Sequence, residues 1–474
     1  MTIDVAKGRA EPPANVRELS DQAIQRVLNK QGTDSGRRNG WLMISTILIE
    51  AWDLYSISFL LIFIKDEFHP SASMLGLTSA AVQGGALLGA IFGGYLSDRF
   101  GRRPVFLTTM ILFVILAVAQ AFATNMWELA AIRLLLGFPL GSDVASSYAY
   151  IMETMPKQKR EVMGSRWQGM FGLGEIAAII VITVLYLTGM DHGTLWRLGL
   201  ALGAVPALAL LIGRLDVPET TSSLILRGRF RKAKQVAKEV FDDDLPMLPD
   251  QDYDLKRPRT RDFLADIWKH KTRRRASIFA WISNACQGAE FTAFGYYLPV
   301  ILVLTGVSGI GATNFLTGAI YLVATISGFV APIALQRLGH RGLSQWGFGL
   351  AFVSLLLAAL FLQVEWKWLV PIAAAGLMWG HYWDASNGMT IASMVAPTRY
   401  KGTASGFGYI FVKAASFATI YGFPQLFDHL GVPLATVLIS SISLVGFLAA
   451  RFVLPEVYGH VETDDEVPAS AVPA

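Results

Sequence analysis

Cysteine is nearly absent from this sequence: Cys286 is the only one among 474 residues. An internal disulfide framework is excluded, and a thiolate-rich metal centre is not expected. Charge is scarce as well. Asp, Glu, Lys and Arg make up 16% of the chain, where a soluble domain carries about 25%. What charge there is lies between long apolar blocks, which bring the apolar share to 53%. The net charge of +4 therefore marks loops, and no nucleic-acid partner is expected. Residues Met1 to Gly40 are polar and contain no apolar core, so no cleavable signal peptide is expected there. No nucleotide-binding loop, nucleophile elbow or metal-ligand spacing stands out. The polar segments are also too short to hold a catalytic domain. An enzyme, a cofactor and a bound metal are all unexpected.

A membrane-crossing helix needs about 20 mostly apolar residues to cover ~30 Å of hydrocarbon. Twelve such stretches are present, with cores at 41–64, 73–96, 104–124, 127–151, 168–188, 195–213, 276–303, 309–334, 344–363, 366–395, 403–425 and 431–454. In chain order these are spans 1 to 12, and they define an all-α membrane protein. The expected organisation is a tail at 1–40, a six-span bundle at 41–213 and a linker at 214–275. A second six-span bundle at 276–454 and a tail at 455–474 follow. Short surface helices are expected within the linker, over Leu224 to Val240. Glycine pairs inside the spans, such as Gly84-Gly85 and Gly93-Gly94, suit close helix packing in lipid.

Lys and Arg set the orientation, because cytoplasmic loops carry their excess. The even-numbered connections hold Arg99, Arg102 and Arg103, then Lys157, Lys159 and Arg160, then Arg337 and Arg341, then Arg399 and Lys401. The 214–275 segment adds Arg227, Arg229, Arg231, Lys232, Lys256, Arg257 and Arg273 to Arg275. The odd-numbered connections offer only Lys65 and Lys367. A multi-pass protein of the cell (inner) membrane with both termini in the cytoplasm is the expectation.

The sequence also repeats itself. Asp98-Arg99-Phe100-Gly101-Arg102-Arg103 follows span 2, and Gln336-Arg337-Leu338-Gly339-His340-Arg341 follows span 8, 238 residues later. Pro218-Glu219 ends span 6, and Pro455-Glu456 ends span 12, 237 residues later. Two six-span repeats in one orientation, with a pathway between them, follow from this spacing.

These residues carry a family resemblance over nearly the whole chain. Gly94-x-x-x-Asp98-Arg99-x-Gly101-Arg102-Arg103 resembles the signature loop of the major facilitator superfamily, and Arg133-x-x-x-Gly137 its span 4 basic motif. Glu153-x-x-Pro156-x-x-x-Arg160, Gln168, Pro218-Glu219 with Gly228-Arg229, and Pro455-Glu456-x-x-Gly459-x-x-Glu462 resemble the sugar-porter branch. Glu50-Ala51-Trp52-Asp53-Leu54-Tyr55, Gly141-Ser142-Asp143 and Lys413 resemble phosphate:proton symporters. Val144 departs from that pattern, and span 7 offers only Glu290 with Phe294 in place of an aspartate and a tyrosine. The resemblance implies the major facilitator fold and an ion pair between Asp53 and Arg133.

A charge in mid-membrane costs several kcal/mol, so each is a functional candidate until something meets it. Asp53, Arg133, Asp143 and Glu290 are the candidates for proton coupling. Glu50, Gln168, Asp384, Asn387 and Lys413 are the candidates for the solute cavity, and Glu175 is read as structural. Lys413 sits about 15 Å along its helix from Thr403 and needs an anion: either a solute, or Asp384 or Glu290. Gly94, Asp98, Arg99, Gly101, Arg102, Arg103, Glu153 and Arg160 are assigned to gating. The expected function is proton-coupled symport of a small polar metabolite, with an organic acid or oxyanion such as phosphate favoured. A sugar or polyol symporter is the alternative, and a drug exporter is a weaker one. Small solute, protons and lipid are the expected partners of a monomer.

Overall fold

The computed structural model describes residues 15–30, 33–155, 157–253, 255 and 260–460. Pro156 of the Glu153 motif, Lys256 and Arg257 of the linker, and Glu462 lie outside the described residues. No strand occurs among the described residues. Eight helical runs are each long and apolar enough to cross a membrane: Gly36–Phe68, Ser73–Phe100, Arg102–Phe122, Met126–Thr154, Lys159–Leu187, His192–Arg214, Ile310–Gln363 and Val432–Phe452. The first six are spans 1 to 6 and the last is span 12. Ile310–Gln363 holds spans 8 and 9, merged into one helical run and broken only at Gly339, where φ is 67°. Spans 7, 10 and 11 complete the twelve and carry buried polar groups, including Glu290, Asp384 and Lys413. Span 7 runs over Lys271–Glu290, a π-helical turn Phe291–Gly295, and Leu298–Leu304. Span 10 is Val370–Met394 and span 11 is Lys401–Leu430.

Local chemistry places the helix starts. Ser71 accepts a hydrogen bond from Met74 N at 3.3 Å to begin span 2, and Asn125 accepts from Glu128 N at 3.0 Å to begin span 4. Most spans bury one face and leave Leu, Ile, Val and Phe on the other, the reverse of a water-facing surface. Trp127, in the first turn of span 4, and Trp368, in the connection after span 9, are 70% and 73% exposed. Tryptophan at such ends suits the headgroup zone of a bilayer.

The two repeats meet along two seams, span 2 against span 11 and span 5 against span 8. Gly94 makes the first seam possible. A Cβ there would stand 2.5 Å from the Gly402 carbonyl oxygen, so any larger residue pushes the halves apart. The end of the bundle that gathers the Arg-rich loops also carries the helices Val16–Asn29, Thr221–Leu226, Phe230–Phe241 and Thr260–Lys269. Ala23, Ile24 and Val27 of the first pack with Val236 and Val240 of the third in a small apolar core of their own.

Candidate transport site

A central cavity of about 40 Å³ lies between the halves, bordered by spans 1, 2, 5, 7, 10 and 11. That is room for a few waters at roughly 10–15 Å³ each. The pathway is therefore nearly closed in this conformation. Glu50, Gln83, Trp167, Gln168, Gln287, His381, Tyr409 and Lys413 border it. Span 1 presents Glu50, and span 11 presents Tyr409 and Lys413 one helical turn apart. Lys413 Nζ is ion-paired with the Glu50 carboxylate and donates to Gln83 Oε1 at 2.7 Å. Tyr409 OH donates to the other oxygen of Glu50. The partners expected for Lys413, Asp384 or Glu290, are not the ones it meets. Its charge is answered across the two halves by an acid of span 1.

Asp53 and Arg133 lie in the first half, each almost wholly buried. Arg133 Nη2 is 3.2 Å from Asp53 Oδ2, its Nη1 donates to Gln120 Oε1 at 2.9 Å, and its Nε donates to the Thr78 carbonyl at 3.2 Å. Every guanidinium nitrogen thus has a partner, and one of the partners is a titratable acid.

Asp143, a candidate for proton coupling, stands away from the cavity wall. Both of its oxygens lie 3.0 Å from Arg214 Nη1, and Thr46 and Thr109 hydroxyls donate to it. It ties spans 1, 3, 4 and 6 together. Asn387 is also absent from the cavity wall. Its side-chain oxygen lies 2.8 Å from His340 Nδ1, and its amide donates to the His340 carbonyl and to Ser344. Glu290 and Asp384 sit behind His381 rather than on the cavity wall.

The signature loop forms a closed network at the basic end. Asp98 accepts from Gly402 N at 3.1 Å and Thr403 N at 2.7 Å, at the start of span 11 in the other half, and from Arg102 Nη2 at 2.8 Å in its own. Arg102 is also ion-paired with Glu153. Gly101 turns the loop at φ 107° and leaves room for Glu219, which caps Arg102 N at 2.9 Å and Arg103 N at 3.3 Å. The second half repeats this: Gly339 turns, and Glu456 caps His340 N at 3.0 Å and Arg341 N at 3.1 Å. Arg160 reaches the His460 carbonyl at 2.9 Å, while Glu161 binds His340 Nε2 at 3.0 Å. Arg99 stands outside the network and donates to Tyr95 OH.

Gln83, Gln120, Gln287, Arg214 and Tyr409 were missed in the sequence. Each glutamine is an uncharged polar residue inside an apolar run, a signal that a count of charges alone passes over.

Two half-bundles closed over a buried polar cavity, with hydrogen bonds joining the halves at one end, have the architecture of a membrane transporter. The model of the sugar (and other) transporter family matches residues 26–461, and the chain belongs to that family. It is a membrane transporter and not an enzyme. It is 28% identical to the probable metabolite transport protein CsbC of Bacillus subtilis, over 89% of this chain and 92% of that one. It is 26% identical to the major myo-inositol transporter IolT of the same organism, over 91% and 94%. The fold is similar to that of the major facilitator proton:xylose symporter XylE bound to 6-bromo-6-deoxy-D-glucose, with a TM-score of 0.74, 19% identity and coverage of 91% and 98%.

Proposed function

We propose that this protein imports a neutral sugar or polyol in symport with protons, as a monomer in the inner membrane with both termini cytoplasmic. The observation that carries the reading is the pairing of Lys413 with Glu50. With the lysine's charge met inside the protein, an anionic solute would have to displace a carboxylate to reach it. The remaining polar wall, Gln83, Gln168 and Gln287, offers both donors and acceptors, as hydroxyl groups require. Trp167 and Phe171 add the apolar faces that a sugar ring stacks on. The names of the relatives, a myo-inositol transporter and a proton:xylose symporter, support the same class. The anionic solute favoured on sequence grounds loses its main support, because Lys413 was its chief argument.

Asp53 and Arg133 supply the coupling in this proposal. Protonating Asp53 removes the charge that holds Arg133, so the pair exists in two forms that favour different arrangements of the first half. The Asp98 contacts to Gly402 and Thr403 act as the gate on the cytoplasmic side, since they join the halves and must break for the cavity to open there.

Uptake into proteoliposomes under an imposed pH gradient tests the whole reading. Labelled pentoses, hexoses and inositols are expected to accumulate and to compete with one another, while phosphate and small carboxylates leave uptake unchanged. A second reading, an anion that takes Glu50's place on Lys413, is favoured if phosphate or a carboxylate competes and no neutral polyol does.

A further inference from the structure

Behind the cavity wall stands a cluster to which the solute site gives no role: Glu290 on span 7 with His381 and Asp384 on span 10. One ligating atom from each lies within 4.8 Å of the others. Glu290 and Asp384 are 0% exposed and His381 is 1% exposed. His381 Nδ1 is 3.1 Å from Glu290 Oε1 and 3.8 Å from Asp384 Oδ1. Glu290 accepts a second hydrogen bond from Ser443 Oγ on span 12. Both oxygens of Asp384 are buried without a hydrogen-bond partner. Span 9 closes the remaining side, where a Cβ at Gly347 would stand 3.0 Å from Asp384 Cβ. Phe291 stacks flat on the His381 ring at 4.5 Å between centroids.

The charges do not balance without added protons. Cys286, one turn before Glu290, is the other titratable group facing the cluster from span 7. Spans 9 and 12 contribute no acid or base to it, and among the described residues no Lys or Arg forms an ion pair with either acid. With His381 protonated and both acids ionised, the cluster holds a net negative charge on wholly buried side chains, which burial opposes. One more proton on Asp384 makes it neutral and gives that residue a hydroxyl to share with Glu290.

We infer that Glu290, His381 and Asp384 form a second proton-binding site, in the half opposite Asp53 and Arg133, with Asp384 taking up the proton and His381 standing between it and the cavity. The proton joins an Asp384 carboxylate oxygen from the aqueous side to which the cavity is open, and leaves the same oxygen toward the other side. Combined with the symport reading above, on which this consequence rests, the carrier moves two protons with each solute.

Infrared difference spectroscopy of the protein in lipid, without solute, reads the site directly. At neutral pH the wild type is expected to show the carbonyl stretch of a protonated carboxylic acid, sensitive to deuterium exchange. Asp384→Asn should remove that band, Glu290→Gln should shift or remove it, and Asp53→Asn should leave it in place. A spectrum unchanged by both Asp384→Asn and Glu290→Gln overturns the inference. So does stoichiometric Zn²⁺ or Mn²⁺ binding by wild type that Asp384→Asn abolishes, since an imidazole with two carboxylates also makes a metal site. Proton-to-solute flux ratios supply the second readout, expected to fall from two in wild type to one in Asp384→Asn. A band that behaves as stated in a protein that moves no sugar would leave the proton site standing and remove the sugar reading alone.

Discussion

A lysine survives in mid-membrane only when something negative meets it, and here the answer comes from 363 residues away in sequence. Glu50 and Lys413 were both recognisable as costly single charges, but nothing in their local sequence says that spans 1 and 11 face each other at that depth. Asp384 and Glu290, the acids expected to meet Lys413 if no solute does, lie in its own half, whereas Glu50 lies in the other. Removing one member of a buried pair leaves the other uncompensated, at a cost of about 3–5 kcal/mol. Lys413→Gln alone is therefore expected to lower the thermal midpoint of the purified protein sharply, and Lys413→Gln with Glu50→Gln to regain most of the loss. A double variant no more stable than the single one would mean that the pair is not a closed unit. Asp53 behaves differently in the proposed cycle. Asp53→Asn imitates the protonated acid, so accumulation driven by a pH gradient should vanish while solute exchange between the two sides survives. Exchange needs reorientation only with solute bound, whereas accumulation needs a proton to bind and leave. An Asp53→Asn carrier that still concentrates sugar under a pH gradient would falsify that assignment.

At the scale of elements, the loops were more legible than the cavity. The recurrence of Gly101 and Glu219 as Gly339 and Glu456 places the same turn and the same carboxylate cap in both halves, and the spacing of the motifs shows it. What the spacing does not show is that Asp98 reaches across to the start of span 11. That contact depends on the approach of Gly94 to Gly402, which is a matter of packing between distant spans. The single helical run over spans 8 and 9 and the π-helical turn in span 7 are likewise products of packing, with no marker in composition. Asp98→Asn weakens charge-assisted hydrogen bonds to Thr403 N and Gly402 N, each of which contributes about 1.5–3 kcal/mol at most. Because these bonds lie at the proposed gate and not in the cavity, turnover should fall severely while solute affinity stays within a few-fold. Lost binding with unchanged turnover per bound solute would remove the loop from the gating cycle. Gly94→Val should wedge the same seam open, read as increased labelling of cysteines introduced into the cavity wall from the loop side.

For the molecule as a whole, the twelve spans were visible in apolar run length, and the orientation is proposed from loop charge alone. Reporter fusions after residues 191 and 308 are expected to read outside and one after 245 inside; an inside reading at 308 would sink the topology. The packing of the first helix onto the linker was not visible, because 16–29 reads as an ordinary polar amphipathic stretch. Asp243 fastens it. Burial pushes this carboxyl up, but hydrogen bonds from Arg26 and Lys30 outweigh that and hold it well below the usual aspartate range. Arg26 Nε and Lys30 Nζ stand 2.7 and 2.8 Å from Asp243 Oδ2, and Leu245 N donates to its other oxygen at 3.0 Å. A carboxyl lowered in the folded state contributes its stabilisation fully above its unfolded value of about 3.9, and loses it only as pH falls through the lower folded value. Amide protection over residues 16–29, taken relative to the intrinsic exchange rate at each pH, should therefore hold from neutral pH down to about pH 4 and fall below it. Asp243→Asn should lose several-fold of that protection above about pH 4 and converge with wild type at lower pH, and ~1 M salt should move wild type part of the way there, because Arg26 and Lys30 are half-exposed and screened. Protection lost between pH 7 and 5 would assign the fastening to another group.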